Sequence, residues 1–186
     1  MKSIDIRNLS GMFLIAVPSL KDPNFERTVV LICDHSQDGA FGLVINRILL
    51  NSFVPLQGGL DIKECIIDLP VFYGGPVRPE QGYILYSMPD IYYPSIKVND
   101  TMALTTAKDV LIDIASGKGP DNYLFALGFA GWSPGQLEYE LMSDSWLVAP
   151  ADSKIIFDTP VNDRWKASAE SIGVDLTRVF CKHGRV

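Results

Sequence analysis

The chain has 186 residues, of which 47% are hydrophobic and 20% charged, and its net charge is −6. That balance suits a globular domain with a sizeable core and excludes an extended disordered chain. An acidic protein with no run of Lys or Arg is also poorly suited to DNA, RNA or anionic lipid, and its densest basic stretch is the short tail LTRVFCKHGRV.

Length favours one domain spanning residues 1–186. The cysteines are Cys33, Cys65 and Cys181, an odd number with no Cys-x-x-Cys spacing. This fits a reducing, cytoplasmic setting better than a disulfide framework. The start, MKSIDIRNLSGMFLIAV, holds an apolar stretch too short to span a bilayer and without a signal-peptide layout, so it reads as a first buried strand.

Phe13 to Val17 is that strand, and the loop PSLKDPNF follows it. Thr28 to Asp34 and Phe41 to Asn46 read as a hairpin with its turn at Asp38-Gly39. A short helix is expected near Ser52 to Leu56. Strands are expected at Val71 to Tyr73 and Tyr83 to Tyr86, with Gly74-Gly75-Pro76 forcing a turn after the first. Ile96 to Val98 and Met102 to Leu104 form a further pair around Asn99-Asp100. Thr106 and Asp109 resemble a capping box for a helix whose apolar face is Val110, Leu111, Ile114 and Ala115, with Gly117 as its stop.

Tyr123 to Phe129 is apolar at nearly every position, as in a strand buried on both faces. Gly128 and Gly131 permit close approach or positive φ. Ser133, Pro134 and Gln136 then read as N-cap, first helical residue and capping-box partner, with Leu137 and Leu141 on the buried face. Trp132, at the junction, either plugs a core edge or faces a ligand. Trp146 to Val148 is a short strand and Ala151 to Phe157 a short helix. Thr159 and Pro160 open a last helix, with a stripe of Val161, Trp165, Ala169 and Ile172.

Three constellations are candidates for chemistry. Cys33 and His35, at i and i+2 of a strand, would share a face, the geometry a thiol nucleophile needs. Asp34 and Asp38 nearby would oppose thiolate formation. The repeated Cys-x-His, at Cys33/His35 and Cys181/His183, supplies zinc ligand types without zinc-site spacing, so neither a metal nor a cofactor is expected. Gly74, Gly75 and Arg78 could cradle an anion, although Pro76 removes an amide and no Walker lysine follows. Asn46-Arg47 ends a strand, where it either holds a loop through backbone carbonyls or faces a ligand.

Taken together, the blocks are recognisable. FLIAVPSLKDPNFERTVVLICDHSQDGAFGLVINR resembles the opening of the bacterial YqgE/AlgH family, and FYGGPVRPEQGYILY resembles its Gly-Gly-Pro block. LTTAKDVL, ALGFAGWSPGQLEYEL, SWLVAPAD and FDTPVNDRWKASAESIGVD resemble its later blocks, in order. The resemblance implies an α+β fold with a small β-barrel-like, bifurcated, mostly antiparallel sheet surrounded by helices. It carries a transcriptional-regulator label in one branch and no established catalytic residues. The sequence departs from the family after Asp175, where members often end in a Gly-His-Ala-like tail.

The expected function is a non-enzymatic binding or regulatory protein with a protein or small-molecule partner. The alternative is a ligand or nucleotide binder, or an enzyme, using Cys33, His35, Asn46, Gly74, Gly75, Arg78 and Trp132. No membrane association is expected, and the charge opposes direct nucleic-acid binding.

Overall fold

The computed structural model describes residues 6, 8–55, 66–89 and 92–176. Its strands are β1 (Met12–Ala16), β2 (Val29–Ser36), β3 (Gly39–Val44), β4 (Ile48–Pro55), β5 (Ile66–Tyr73), β6 (Val77–Ser87), β7 (Ser95–Lys97), β8 (Met102–Thr105), β9 (Tyr123–Trp132) and β10 (Trp146–Pro150). Its helices are α1 (Asp109–Ala115), α2 (Gln136–Met142), α3 (Ser153–Phe157) and α4 (Arg164–Glu170), the last entered through a 3-10 turn over Val161–Asp163.

The strands form one sheet in the order β10-β1-β2-β3-β9-β6-β8-β7, and β5 carries β4 as a branch off β9. All pairings are antiparallel except β5 with β9. The fork lies along β9. Phe125 to Leu127 pair with β5, whereas Ala130 to Trp132 pair with β3 on that same edge. β6 lines the opposite edge of β9. The sheet curls into a half-barrel, so that a Cβ at Gly11 would lie 3.1 Å from the Val98 carbonyl oxygen, at the far end of the strand order.

The inner face gathers Phe13, Leu31, Cys33, Leu43, Leu85 and Leu104, closed by Ile155 and Ile156 of α3 and Ala169 of α4. α2 covers Leu14, Val30, Ile32 and Val44 on the other side of the sheet, through Leu137. α1 covers Val71, Ile84 and Phe125, through Val110 and Leu111. Burying these apolar groups at roughly 1.5–3 kcal/mol each is the main force holding helices this short in place. α4 is tied further by the Trp165 indole, which donates to the Ala16 carbonyl at 2.8 Å. The Arg164 guanidinium donates to the Ile45 and Thr159 carbonyls and lies 5.2 Å from the Phe72 ring.

Several local expectations give way. Residues 52–55 belong to β4, not to a helix, because pairing with β5 overrides a weak local preference; Leu56 lies outside the described residues. Thr106 caps nothing: α1 begins at Asp109 without a side-chain cap, and it is the Thr105 hydroxyl that accepts the Ala107 amide at 3.0 Å. Thr159 is not an N-cap either, since its hydroxyl donates to the Lys154 carbonyl at 3.2 Å. The apolar stripe of the last helix stops at Ala169, and Ile172 is exposed. Only half of the Ser133–Gln136 box forms, with the Ser133 amide donating to Gln136 Oε1 at 3.0 Å.

Candidate functional site

Cys33 and His35 do not share a face. Ile32 pairs with Gly42 and Asp34 with Phe41, so Cys33 is the extra residue of a β-bulge and the alternation reverses there. The thiol points into the inner core and donates to the Leu31 carbonyl at 3.6 Å. Burial pushes its pKa far above the ordinary thiol range; backbone hydrogen bonding at Leu43 opposes this and the Asp34 charge adds to it. Such a thiol is inert, because the nucleophile is the thiolate.

His35 turns toward α2 instead, with its side chain 1% exposed. The Leu9 amide donates to Nδ1 at 3.1 Å, which leaves the proton on Nε2, and Nε2 donates to Glu138 Oε1 at 3.2 Å. His35 thus fastens the segment before β1 and the first turn of α2 to one strand. Cys181 and His183 lie outside the described residues.

His35 pairs with Ala40, and Ala40 with Trp132, so the two predicted residues flank β3 in one cross-strand row under the same helix. The Trp132 indole donates to Glu140 Oε2 at 2.9 Å, and the Trp146 indole donates to that oxygen at 2.8 Å. Gln136 Nε2 donates to the second oxygen at 2.9 Å. Phe25 stacks on Trp132 at 6.1 Å and meets Trp146 edge-on at 5.6 Å. This is a closed aromatic anchor around one carboxylate.

The glycine pair serves packing. The Gly74 amide donates to Leu127 and its carbonyl accepts from the Val44 amide, both at 2.8 Å. A Cβ at Gly74 would lie 2.2 Å from the Gly128 oxygen, and one at Gly75 2.1 Å from the Phe129 carbonyl carbon. The pair fills the angle of the fork in the sheet, and the Gly74 amide is not available to cradle an anion. Asn46 and Arg47 act as clamps. Asn46 accepts the Val29 amide at 2.8 Å and donates to Arg27 O at 2.9 Å. Arg47 donates to the Pro23, Asn24 and Glu26 carbonyls at 2.7, 3.0 and 2.9 Å.

Arg78 alone among the predicted residues remains at an open surface. It is exposed, has φ +47°, and stands in the irregular stretch between the Val77 and Gly82 pairings. Its charge acts on the Tyr83 phenol. Tyr83 borders an apolar groove of about 130 Å³ beside β7 and β8, shared with Pro94, Ile96, Leu104 and Thr105. It also packs against Phe41 and Phe129 at 5.5 and 5.9 Å.

A family profile described as AlgH-like matches residues 13–177. The chain belongs to the AlgH-like family. A UPF0301 protein of Methylococcus capsulatus is 45% identical over 179 residues, covering 95% of each chain. One of Erwinia tasmaniensis is 42% identical, over 95% of this chain and 98% of its own. The solution structure of the AlgH protein from Pseudomonas aeruginosa superimposes with a TM-score of 0.78 at 36% identity, covering 100% of both chains. A Corynebacterium diphtheriae protein shares the fold, with a TM-score of 0.70 at 21% identity over 95% of this chain and 92% of its own. No helix among the described residues of this AlgH-like chain is long and apolar enough to cross a membrane.

Glu138, Glu140 and Tyr83 went unremarked in the sequence. A signal existed for one of them: Trp132, Gln136 and Glu140 recur at a spacing of four. For Glu138 and Tyr83 the partners are distant in the chain, and local spacing carries no trace of them.

Proposed function

We propose that this AlgH-like chain is a cytoplasmic, non-enzymatic binding or regulatory protein that recognises a protein or small-molecule partner without transforming it. The observation that carries this reading is the bulge at Cys33, which separates the thiol from His35 and leaves each engaged in holding the fold. The continuous sheet from β10 to β7 supports treating residues 1–186 as one domain. Regulation by direct duplex contact draws no support from a net charge of −6, since such binding depends on neutralising phosphates.

Labelling tests the reading. In a Cys65→Ser/Cys181→Ser variant, Cys33 reacts with iodoacetamide slowly when folded and at the free-thiol rate in urea. Fast labelling of the folded protein overturns the reading. A thermal-shift screen tests the positive side: a ligand at a hundredfold excess over its Kd adds about 2.7 kcal/mol. It is then recovered unchanged after incubation, whereas chemical conversion argues for an enzyme.

A further inference from the structure

Helix α2 packs on the sheet through Leu137 and turns its opposite side to solvent. That side carries Tyr139, 67% exposed, and Met142, 76% exposed. Residues three apart on a helix are neighbours, so the two make one patch. Neither belongs to a core cluster. Single apolar side chains are ordinary on a surface, whereas an adjoining pair of this size rimmed by polar groups marks an interaction site.

The rim has charges of one sign. No Lys or Arg occurs between Lys118 and Lys154. Glu138 and Glu140 lie on α2, Asp144 follows it, and Asp38 stands in the hairpin turn at its entry, where Gly39 packs against the backbone of Trp132 and Ser133. None of these four acids meets a Lys or Arg in an ion pair among the described residues. Glu140 is held by three neutral donors, from Trp132, Trp146 and Gln136, and Glu138 by the neutral His35 ring. These contacts fix the carboxylates without supplying a counter-charge. α2 also runs against ordinary helix electrostatics. The carbonyl end of a helix favours a cation, yet its last turn holds none and Asp144 comes straight after the C-cap Ser143. A local rule broken with no return inside the fold points to a partner outside it.

We infer that the outer face of α2 docks a cationic, amphipathic segment of a partner protein. The apolar side chains of that segment rest on Tyr139 and Met142, and its Lys or Arg residues stand beside Glu138, Glu140, Asp144 and the last carbonyls of the helix. Charge commits the site to this occupant. A second copy meeting this face with its own would bring the same acids against each other, and like charges brought together suppress the wrong partner. Anionic lipid and nucleic acid are opposed for the same reason. This inference rests on the binding-protein reading and names its surface and partner class.

The test is a titration of the isotopically labelled full chain, followed by amide NMR, with a synthetic amphipathic helix of leucine and lysine. A leucine–glutamate peptide of the same pattern and a serine–lysine peptide of the same charge are the controls. The leucine–lysine peptide shifts the amides of Glu138, Tyr139, Met142 and Asp144 saturably, the leucine–glutamate peptide does not, and the serine–lysine peptide binds at least about tenfold more weakly. Tyr139→Ser and Met142→Ser lie at the surface and keep the fold, and each weakens binding about tenfold. Asp144→Asn flattens the dependence of affinity on salt. Shifts centred elsewhere, equal binding of the leucine–glutamate peptide, or full affinity in the Tyr139→Ser/Met142→Ser chain would each overturn the inference. So would two results without peptide: α2 shifts that grow with protein concentration, which make a second copy the occupant, or α2 shifts on Arg178→Ser/Lys182→Ser/Arg185→Ser, which make it the chain's own basic tail. Saturable, unreactive binding at another surface removes this site and leaves the binding-protein reading intact, whereas fast Cys33 labelling or conversion of a bound ligand removes both.

Discussion

Replacing Gly75 with alanine separates the two accounts of the Gly-Gly-Pro turn. If the glycines cradle an anion, Gly75→Ala costs affinity and little stability. The geometry demands the reverse. Gly75 has φ +152°, and an added Cβ would lie 2.1 Å from the Phe129 carbonyl carbon, 2.2 Å from its oxygen and 2.3 Å from the Ala130 nitrogen. All of these are backbone atoms in β9, so relief requires parting the turn from the strand that joins the sheet. A side chain at positive φ costs about 1–2 kcal/mol, and overpacking against an unyielding wall adds about 1–3 kcal/mol. The sum, about 2–5 kcal/mol, is a large share of a typical domain stability of about 5–15 kcal/mol. At roughly 2–4 °C per kcal/mol, Tm falls by about 4–20 °C. Gly135→Ala is the matched control, because φ there is +75° but nothing lies within 4 Å of the new Cβ. It should lose only the conformational cost of about 1–2 kcal/mol. Urea denaturation followed by circular dichroism measures both. Equal stability of the two variants would refute the packing account of the glycine pair.

Other perturbations read other parts of the molecule. Glu140→Ala strips the shared acceptor from two indoles. It should cost about 2–3 kcal/mol, with a red-shifted tryptophan emission, and unchanged emission would speak against the anchor. Arg47→Lys replaces a fork that reaches three carbonyls with a single ammonium. Proteolysis in the loop before β2 should accelerate about tenfold, as expected when local opening becomes easier by about 1.4 kcal/mol, and an unchanged cleavage rate would argue against the clamp. The Tyr73 and Tyr83 phenols are held above their ordinary value, in both cases chiefly by burial. Above pH about 10 the unfolded chain sheds these protons while the folded chain keeps them, so stability declines as pH rises. Denaturation at stepped alkaline pH should show this, and Tyr83→Phe should flatten it.

Much of the fold was legible because its signals are local. The hairpin turn at Asp38-Gly39 closes β2 on β3, with Ser36 paired to Gly39. Gly117 stops α1, with the Lys118 amide reaching the Asp113 carbonyl at 2.8 Å. Features that need a partner strand were not legible. Only the register of β2 against β3 exposes the bulge at Cys33, and that bulge defeats the rule that i and i+2 share a face. The strand character of residues 52–55 comes from β5 and not from its own sequence. Asn46, Gly74 and Trp132 were singled out as candidate ligand contacts, and the structure places each in hydrogen bonds within the fold. Tyr83 was passed over because an aromatic residue in an apolar strand looks ordinary until its packing against Phe41 and Phe129 is seen.

The fork along β9 has a consequence for how the chain is made. β9 joins β3, β5 and β6, yet it spans Tyr123–Trp132, long after all three have left the ribosome. Until then the nascent chain holds separate hairpins with unsatisfied edges and no strand to unite them, and pairings so distant in sequence form slowly. Release of a chain truncated before residue 123 would therefore leave sticky fragments, not a smaller stable protein.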